Sequence, residues 1–165
     1  MPNIDLQLSQ EDAKLVFLAV AYHLGRPGSE LDPLTKQPVE HGLAETSREL
    51  QPQLRNAVAQ VRLLDAQLKR LQSGMLGSIT ELKAYPMLDL RRTDDGAGRR
   101  SSVPGFDRNL LHLFPEVEED VENALGLAER MLLLKRRLDE QVAQIPVQEP
   151  AAPEPRKKRW WPFGR

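Results

Sequence analysis

Apolar residues between Leu50 and Met75 recur at alternating steps of four and three positions. This is the 3.5-residue period of a coiled-coil seam. The pattern predicts a long helix that begins at about Leu50, because Pro52 is tolerated in a first helical turn but not farther inside. The predicted seam consists of Leu50, Leu54, Ala57, Val61, Leu64, Leu68, Leu71 and Met75.

The far end of this helix is predicted from its helix-breaking residues. Gly74 and Gly77 each weaken a helix by about 1 kcal/mol relative to Ala. We expect the helix to continue to Tyr85 and to end there, because Pro86 disfavours helical backbone in the residue before it.

A second heptad pattern follows Pro115, which suits the first position of a helix. Its positions are Val117, Val121, Ala124, Ala128, Met131, Lys135, Leu138, Val142 and Ile145, all apolar except Lys135. Additional leucines widen this face beyond a two-stranded seam. We therefore expect it to pack against the first long helix on one side, and against an N-terminal helix or another subunit on the other. Lys135 either specifies the register or extends its ammonium to solvent, and we favour the second interpretation.

The N-terminal residues predict an extended segment and then a helix. Ile4, Leu6 and Leu8 alternate with polar residues, which is a weak strand signal. Because no partner strand is evident in the chain, we interpret this short stretch as an extended lead-in. Ser9 can cap a helix from about Gln10 to Leu24, and Gly25 can end that helix in a left-handed conformation.

These elements predict an all-α fold, an antiparallel coiled-coil helical hairpin with the N-terminal helix packed alongside as a three-helix arrangement. The expected divisions are residues 1–25 (lead-in and first helix), 26–46 (Pro-rich arm), 47–145 (hairpin, with a mobile linker at 86–109) and 146–165 (Pro-rich, then basic tail). Parallel self-association of the first heptad helix is the competing arrangement, since its seam fits both.

Composition favours association over catalysis. The chain of 165 residues has only 5% aromatic residues. It has no Cys, and this excludes thiol nucleophiles and Cys-based zinc sites. His23, His41 and His112 form no recognised ligand motif, so we expect no metal or cofactor. The longest apolar run, 15–24, is about half of what a membrane span needs, and the N-terminus lacks a secretory pattern. We expect a cytoplasmic protein that can reach a membrane surface.

The C-terminal decapeptide 156–165 is the sharpest local feature. It holds five of the 23 basic residues and no acidic residue, whereas residues 1–155 have a formal charge of −6. Its basic and aromatic side chains suit an anionic bilayer surface, and in composition it resembles membrane-active Trp/Pro/Arg-rich cationic peptides. A protein pocket, single-stranded nucleic acid and the chain's own helices are the alternative targets. The predicted contact residues are Arg156, Lys157, Lys158, Arg159, Trp160, Trp161 and Phe163.

Taken together, these features predict a non-catalytic oligomeric scaffold or adaptor that docks through its tail to a membrane surface or a partner. A nucleic-acid-associated protein, using the tail and the basic pairs at 91–92 and 99–100, is the first alternative. The acidic body argues against it, since phosphate neutralisation usually needs a broader basic face. An enzyme subunit whose site is completed by a partner is the second alternative, although the sequence nominates no catalytic residue.

Overall fold

The computed structural model describes residues 3–89, 103 and 105–145. This part of the chain is mostly helical, with one small antiparallel sheet. The elements in chain order are β1 (Asn3–Ser9), α1 (Gln10–Gly25), α2 (Leu43–Leu50), a 3-10 turn (Gln51–Gln53), β2 (Val58–Leu64), α3 (Asp65–Asp89), α4 (Phe106–Leu113), α5 (Glu116–Glu119) and α6 (Asn123–Ala143).

The N-terminal segment is a paired strand, so the prediction that it lacks a partner is wrong. β1 pairs with β2 in antiparallel register, from Asn3 opposite Leu64 to Ser9 opposite Val58. Both strands bury alternate side chains, because successive residues of a strand point to opposite faces of the sheet. The buried members are Leu6, Leu8, Ala59, Val61 and Leu63.

The long helix predicted from Leu50 is interrupted by this strand. Leu50 is buried at the end of α2, Leu54 is half-buried in a turn, and Val61 is buried in β2. Val61 belongs both to the heptad pattern and to the alternation of buried residues at 59, 61 and 63, and pairing with β1 favours the strand. Leu64 ends β2 and is half-buried, whereas Leu68 and Leu71 are buried on α3 as predicted.

Pro86 lies inside α3, which runs on to Asp89, so the predicted end at Tyr85 is wrong. A proline removes one backbone hydrogen bond, and this close to the helix end few bonds depend on it. The predicted linker is correspondingly shorter at both ends, because 86–89 belong to α3 and 106–109 belong to α4. The centre of that linker lies outside the described residues.

The second heptad helix is divided at Asp120. Val117 is buried in α5 and Val121 is half-buried in the following turn, while Met131 and Leu138 are buried on α6 and Val142 is half-buried there. Asp120 Oδ1 accepts a hydrogen bond from the amide of Glu122 at 3.0 Å. Such local side-chain bonds compete with helical ones, which explains the break.

The N-terminal helix forms close to the predicted bounds and lies at the centre of the fold. Ser9 Oγ accepts the hydrogen bond from the Asp12 amide at 3.2 Å, which confirms the predicted cap. Gly25 remains helical, and the left-handed glycine of this turn is Gly28 instead, at φ +73°. α1 packs against the sheet, α2, α3, α4 and α6, and α6 packs against α3 as well. Helix 1 therefore contributes to covering the broad apolar face of α6.

Candidate functional site

The two edges of the small sheet differ in their hydrogen bonding. On the outer edge of β2, the Gln53 side-chain amide donates to the carbonyl of Gln60 at 3.0 Å and accepts from its backbone N–H at 2.9 Å. Gln67 Oε1 accepts from the Leu64 amide at 3.0 Å on the same edge. Side chains from the neighbouring elements thus occupy part of the β2 edge, at Gln60 and Leu64, whereas no described hydrogen bond reaches the outward backbone groups of Arg62 between them.

The outer edge of β1 has no such cover in the described part of the chain. Gln60 directs its backbone groups away from β1, so its register partner Gln7 directs its own groups away from β2. The alternation of the ladder places the backbone of Asp5 in the same orientation. Among the described residues, no hydrogen bond satisfies the backbone groups of Asp5 or Gln7, and both side chains are exposed. β1 therefore presents an open strand edge.

A groove of about 840 Å³ lies between the exposed face of this sheet and α2. The Arg62 guanidinium crosses the sheet to Asp5, with Nε 2.7 Å from Oδ1. This hydrogen bond raises the pKa of Arg62 above its usual range. Glu45 and Glu49 of α2 supply further carboxylates, so the groove carries more negative than positive side chains. The groove is wide and open and is lined by many polar side chains. These properties suit an extended chain better than a small molecule, which usually binds in an enclosed pocket.

His23 is buried at the end of α1, beside a carboxylate that the sequence analysis did not connect with it. Its Nε2 lies 3.0 Å from Oε1 of Glu30, and that same oxygen accepts from the Leu43 amide at 2.9 Å. Burial lowers the pKa of His23, and the charges of Arg70 and Arg26 act in the same direction, against the opposing effect of Glu30. The turn at Gly28 returns the chain to α1, so no helical spacing could have revealed this contact.

Lys135 pairs with Asp139 on α6, and that carboxylate in turn contacts α3. Its ammonium lies 2.8 Å from Oδ2 of Asp139, and Oδ1 of that carboxylate accepts from Gln72 on α3 at 2.7 Å. The Lys135 side chain is only 16% exposed. The hydrogen bond between Gln72 and Asp139 joins the two helices, and Lys135 neutralises the carboxylate that takes part in it.

The structure brings only part of the predicted residue set together. Leu68, Leu71, Met131 and Leu138 belong to one hydrophobic core, and Leu50 and Val61 join it from α2 and β2. The predicted tail contacts, all between 156 and 163, lie outside the described residues. Within the described ranges, no three His, Asp or Glu side chains gather as metal ligands would, and no helix is both long and apolar enough to cross a membrane.

Comparison with known proteins gives no relative for this chain. No protein-family model matches it, and neither a curated protein nor a solved structure shows significant similarity to it. The functional argument therefore depends on the chain's own residues.

Proposed function

We propose that this protein is a non-catalytic adaptor that self-associates through the open edge of β1 and docks to an anionic membrane surface through its C-terminal tail. The observation that carries the proposal is the difference between the two sheet edges. Exposed strand edges pair readily with another chain, and proteins that avoid such pairing usually cover or charge them. Here Gln53 and Gln67 cover part of the β2 edge, while no described side chain covers the β1 edge.

A second copy of the chain is the proposed occupant, because β1 is self-complementary in the antiparallel register centred on Leu6. If Leu6 lies opposite Leu6 of the second copy, Asp5 faces Gln7 and both can exchange backbone hydrogen bonds. A shift that places Asp5 opposite Asp5 would set like charges against each other, which is destabilising. In the favoured register Ile4, which is half-buried in a single copy, lies across from Leu8. The two sheets would then join into four strands.

Within each copy, we propose that α3 and α6 form the antiparallel pair of the predicted hairpin, with α1 as the third helix. Their mutual packing and the hydrogen bond from Gln72 to Asp139 support this arrangement. Met75 and Met131 are fully buried on these helices. Because the faces that α3 and α6 turn toward each other are already buried inside one chain, we propose the strand edge as the surface for assembly.

The tail supplies the proposed membrane contact. Each basic residue near an anionic surface contributes about 1 kcal/mol, and tryptophan side chains favour the headgroup region. A single tail of this size binds weakly. Two tails in one dimer raise the effective affinity without any new contact, because the second binding step becomes intramolecular.

The association is tested by sedimentation velocity on the full chain and on the variants Gln7→Pro and Gln7→Ala. The Gln7 N–H faces outward and serves no described hydrogen bond, so proline removes a donor for the second copy and spares the β1–β2 ladder. We expect the parent chain and Gln7→Ala to be dimers and Gln7→Pro to be a monomer, with equal helical content by circular dichroism. A monomeric parent chain would contradict the proposal, as would a Gln7→Pro variant that still dimerises.

A further inference from the structure

A second cavity, of about 410 Å³, opens where the end of α1 meets the first turns of α3. It lies apart from the sheet groove and shares no lining residue with it. Its lining combines basic side chains, hydroxyl groups and a glycine turn. The residues are His23, Arg26, Pro27, Gly28, Ser29, Lys69, Arg70 and Ser73.

The charge of this lining is opposite to that of the body around it. Arg26, Lys69 and Arg70 contribute three positive charges, and no carboxylate lines the cavity, whereas residues 1–155 together have a formal charge of −6. A concentration of one sign of charge in a concave site raises the local concentration of oppositely charged ligands. The cavity is therefore suited to an anion.

The nearby carboxylates do not neutralise these cations fully. Asp65 pairs with Lys69, with Nζ 2.9 Å from Oδ2, but both side chains are exposed. Such a surface pair contributes about 0–1 kcal/mol and is readily exchanged. Glu30 is occupied by His23 and by the amide of Leu43.

The two arginines are held in place while most of their donors stay available. Arg70 Nη1 donates to the carbonyl of His41 at 3.0 Å. The other N–H groups of this planar guanidinium remain available to a ligand. The Arg26 guanidinium lies 6.0 Å from the centre of the Tyr22 ring, a cation–π contact that restrains its position. Ser29 and Ser73 add hydroxyl groups to the same lining. The planar N–H donors of a guanidinium group suit the oxygens of a phosphate group.

We propose that this cavity binds the phosphate group of a small phosphorylated molecule, with Arg26 and Arg70 as the principal ligands and Lys69 as a supporting cation. The size of the cavity fits a small ligand. Binding here is independent of the strand edge and the tail, so the protein would carry a ligand site in addition to its association surface.

The test uses the full chain and isothermal titration calorimetry with inorganic phosphate and with phenyl phosphate, at constant ionic strength set by chloride. We expect saturable binding of both, at least tenfold weaker in Arg70→Gln. The matched control is Lys83→Gln, which removes one positive charge from an exposed position farther along α3 and should leave the affinity unchanged. Lys69→Gln provides a second variant at an exposed position whose folding is not at risk, with an expected loss of a few-fold.

Three results would overturn the proposal. The first is the absence of saturable binding by either phosphate compound. The second is an equal loss in Lys83→Gln, since that would indicate general charge attraction rather than a site. The third is binding of a single-stranded oligonucleotide that depends on Arg70 while phenyl phosphate does not bind, which would identify a nucleic-acid surface instead.

Discussion

At the scale of single residues, Glu30 links the irregular segment in which it lies to the end of α1 and to the start of α2. Its Oε1 meets His23 at the end of α1 and the amide of Leu43 at the start of α2. Its other oxygen occupies the space where a side chain at Gly42 would begin, which accounts for a glycine there. One carboxylate therefore holds the irregular segment between the two helices against the core.

The histidine beside Glu30 makes stability depend on pH. Folding lowers the pKa of His23 from its ordinary value of 6.5, chiefly because burial disfavours the charged ring. Below pH 6.5 the unfolded chain therefore binds more protons at this site than the folded chain does, and stability decreases as pH falls toward the lowered pKa. We expect urea unfolding of His23→Gln to show a smaller loss across this range than the parent chain shows.

The control for that measurement is His112→Gln, which removes an exposed histidine on α4. Its stability should follow the pH dependence of the parent chain. If His23→Gln and the parent chain lose stability in parallel below pH 6.5, then the buried histidine does not produce the effect.

At the scale of elements, α1 and α3 approach most closely where glycine replaces a side chain. A Cβ built at Gly74 would lie 2.8 Å from the carbonyl oxygen of Ala19, which is backbone and cannot move aside. At Gly77 the neighbour is the ring of Tyr22. In the sequence, both glycines indicate only a cost to the helix, but in the fold they permit contact between α1 and α3.

This close approach predicts opposite effects for two glycine substitutions. Gly74→Ala should lower the free energy of unfolding by roughly 1–3 kcal/mol, because overpacking outweighs the gain in helix propensity. Gly126→Ala, on α6 with no atom within 4 Å of the added Cβ, should raise it by about 0.5–1 kcal/mol. Urea denaturation of both variants provides the comparison, and a stabilised Gly74→Ala would refute the backbone contact.

The helices were predictable wherever a local signal decided the structure. The Ser9 cap and the apolar surface of α1 gave the first helix almost to the residue, and Leu68 and Leu71 were placed correctly on α3. The strand at 58–64 was missed because Val61 satisfies both the heptad and the alternating pattern. Only the distant strand β1 distinguishes the two, and the residue that pairs with Val61 is Leu6, 55 positions earlier in the chain.

The candidate sites were less predictable for the same physical reason. Contacts such as His23 with Glu30, or Gln53 with Gln60, join segments across irregular turns where no periodic spacing operates. Arg26 and Arg70 come together only because α1 and α3 pack against each other. The Pro27–Gly28 pair does predict a turn beside this cavity, but a turn alone does not indicate which helix packs against it.

At the scale of the whole molecule, charge and aromatic residues are unevenly distributed along the chain. The body is acidic, whereas the last ten residues are basic and contain both of the protein's tryptophans, Trp160 and Trp161. The intrinsic tryptophan fluorescence therefore reports on the tail alone, without interference from the helical core.

We expect vesicles that contain phosphatidylserine to shift the tryptophan emission of the full chain to shorter wavelength and to co-sediment it. Neutral phosphatidylcholine vesicles should do neither, and added salt should weaken the effect because charge attraction is screened. A chain lacking residues 156–165 provides the comparison for sedimentation. If it sediments with anionic vesicles as the full chain does, the tail is not the membrane contact.

The Gln53 side chain on one edge of the sheet also bears on how many copies of the chain can assemble through strand edges. A unit with two open strand edges can add a neighbour on either side, and such growth has no natural end. A unit with a single open edge pairs with the same edge of a second copy, and this two-fold contact is complete at two. If the chain assembles through β1 as proposed, the cover that Gln53 and Gln67 provide on β2 would favour a pair of copies over a filament.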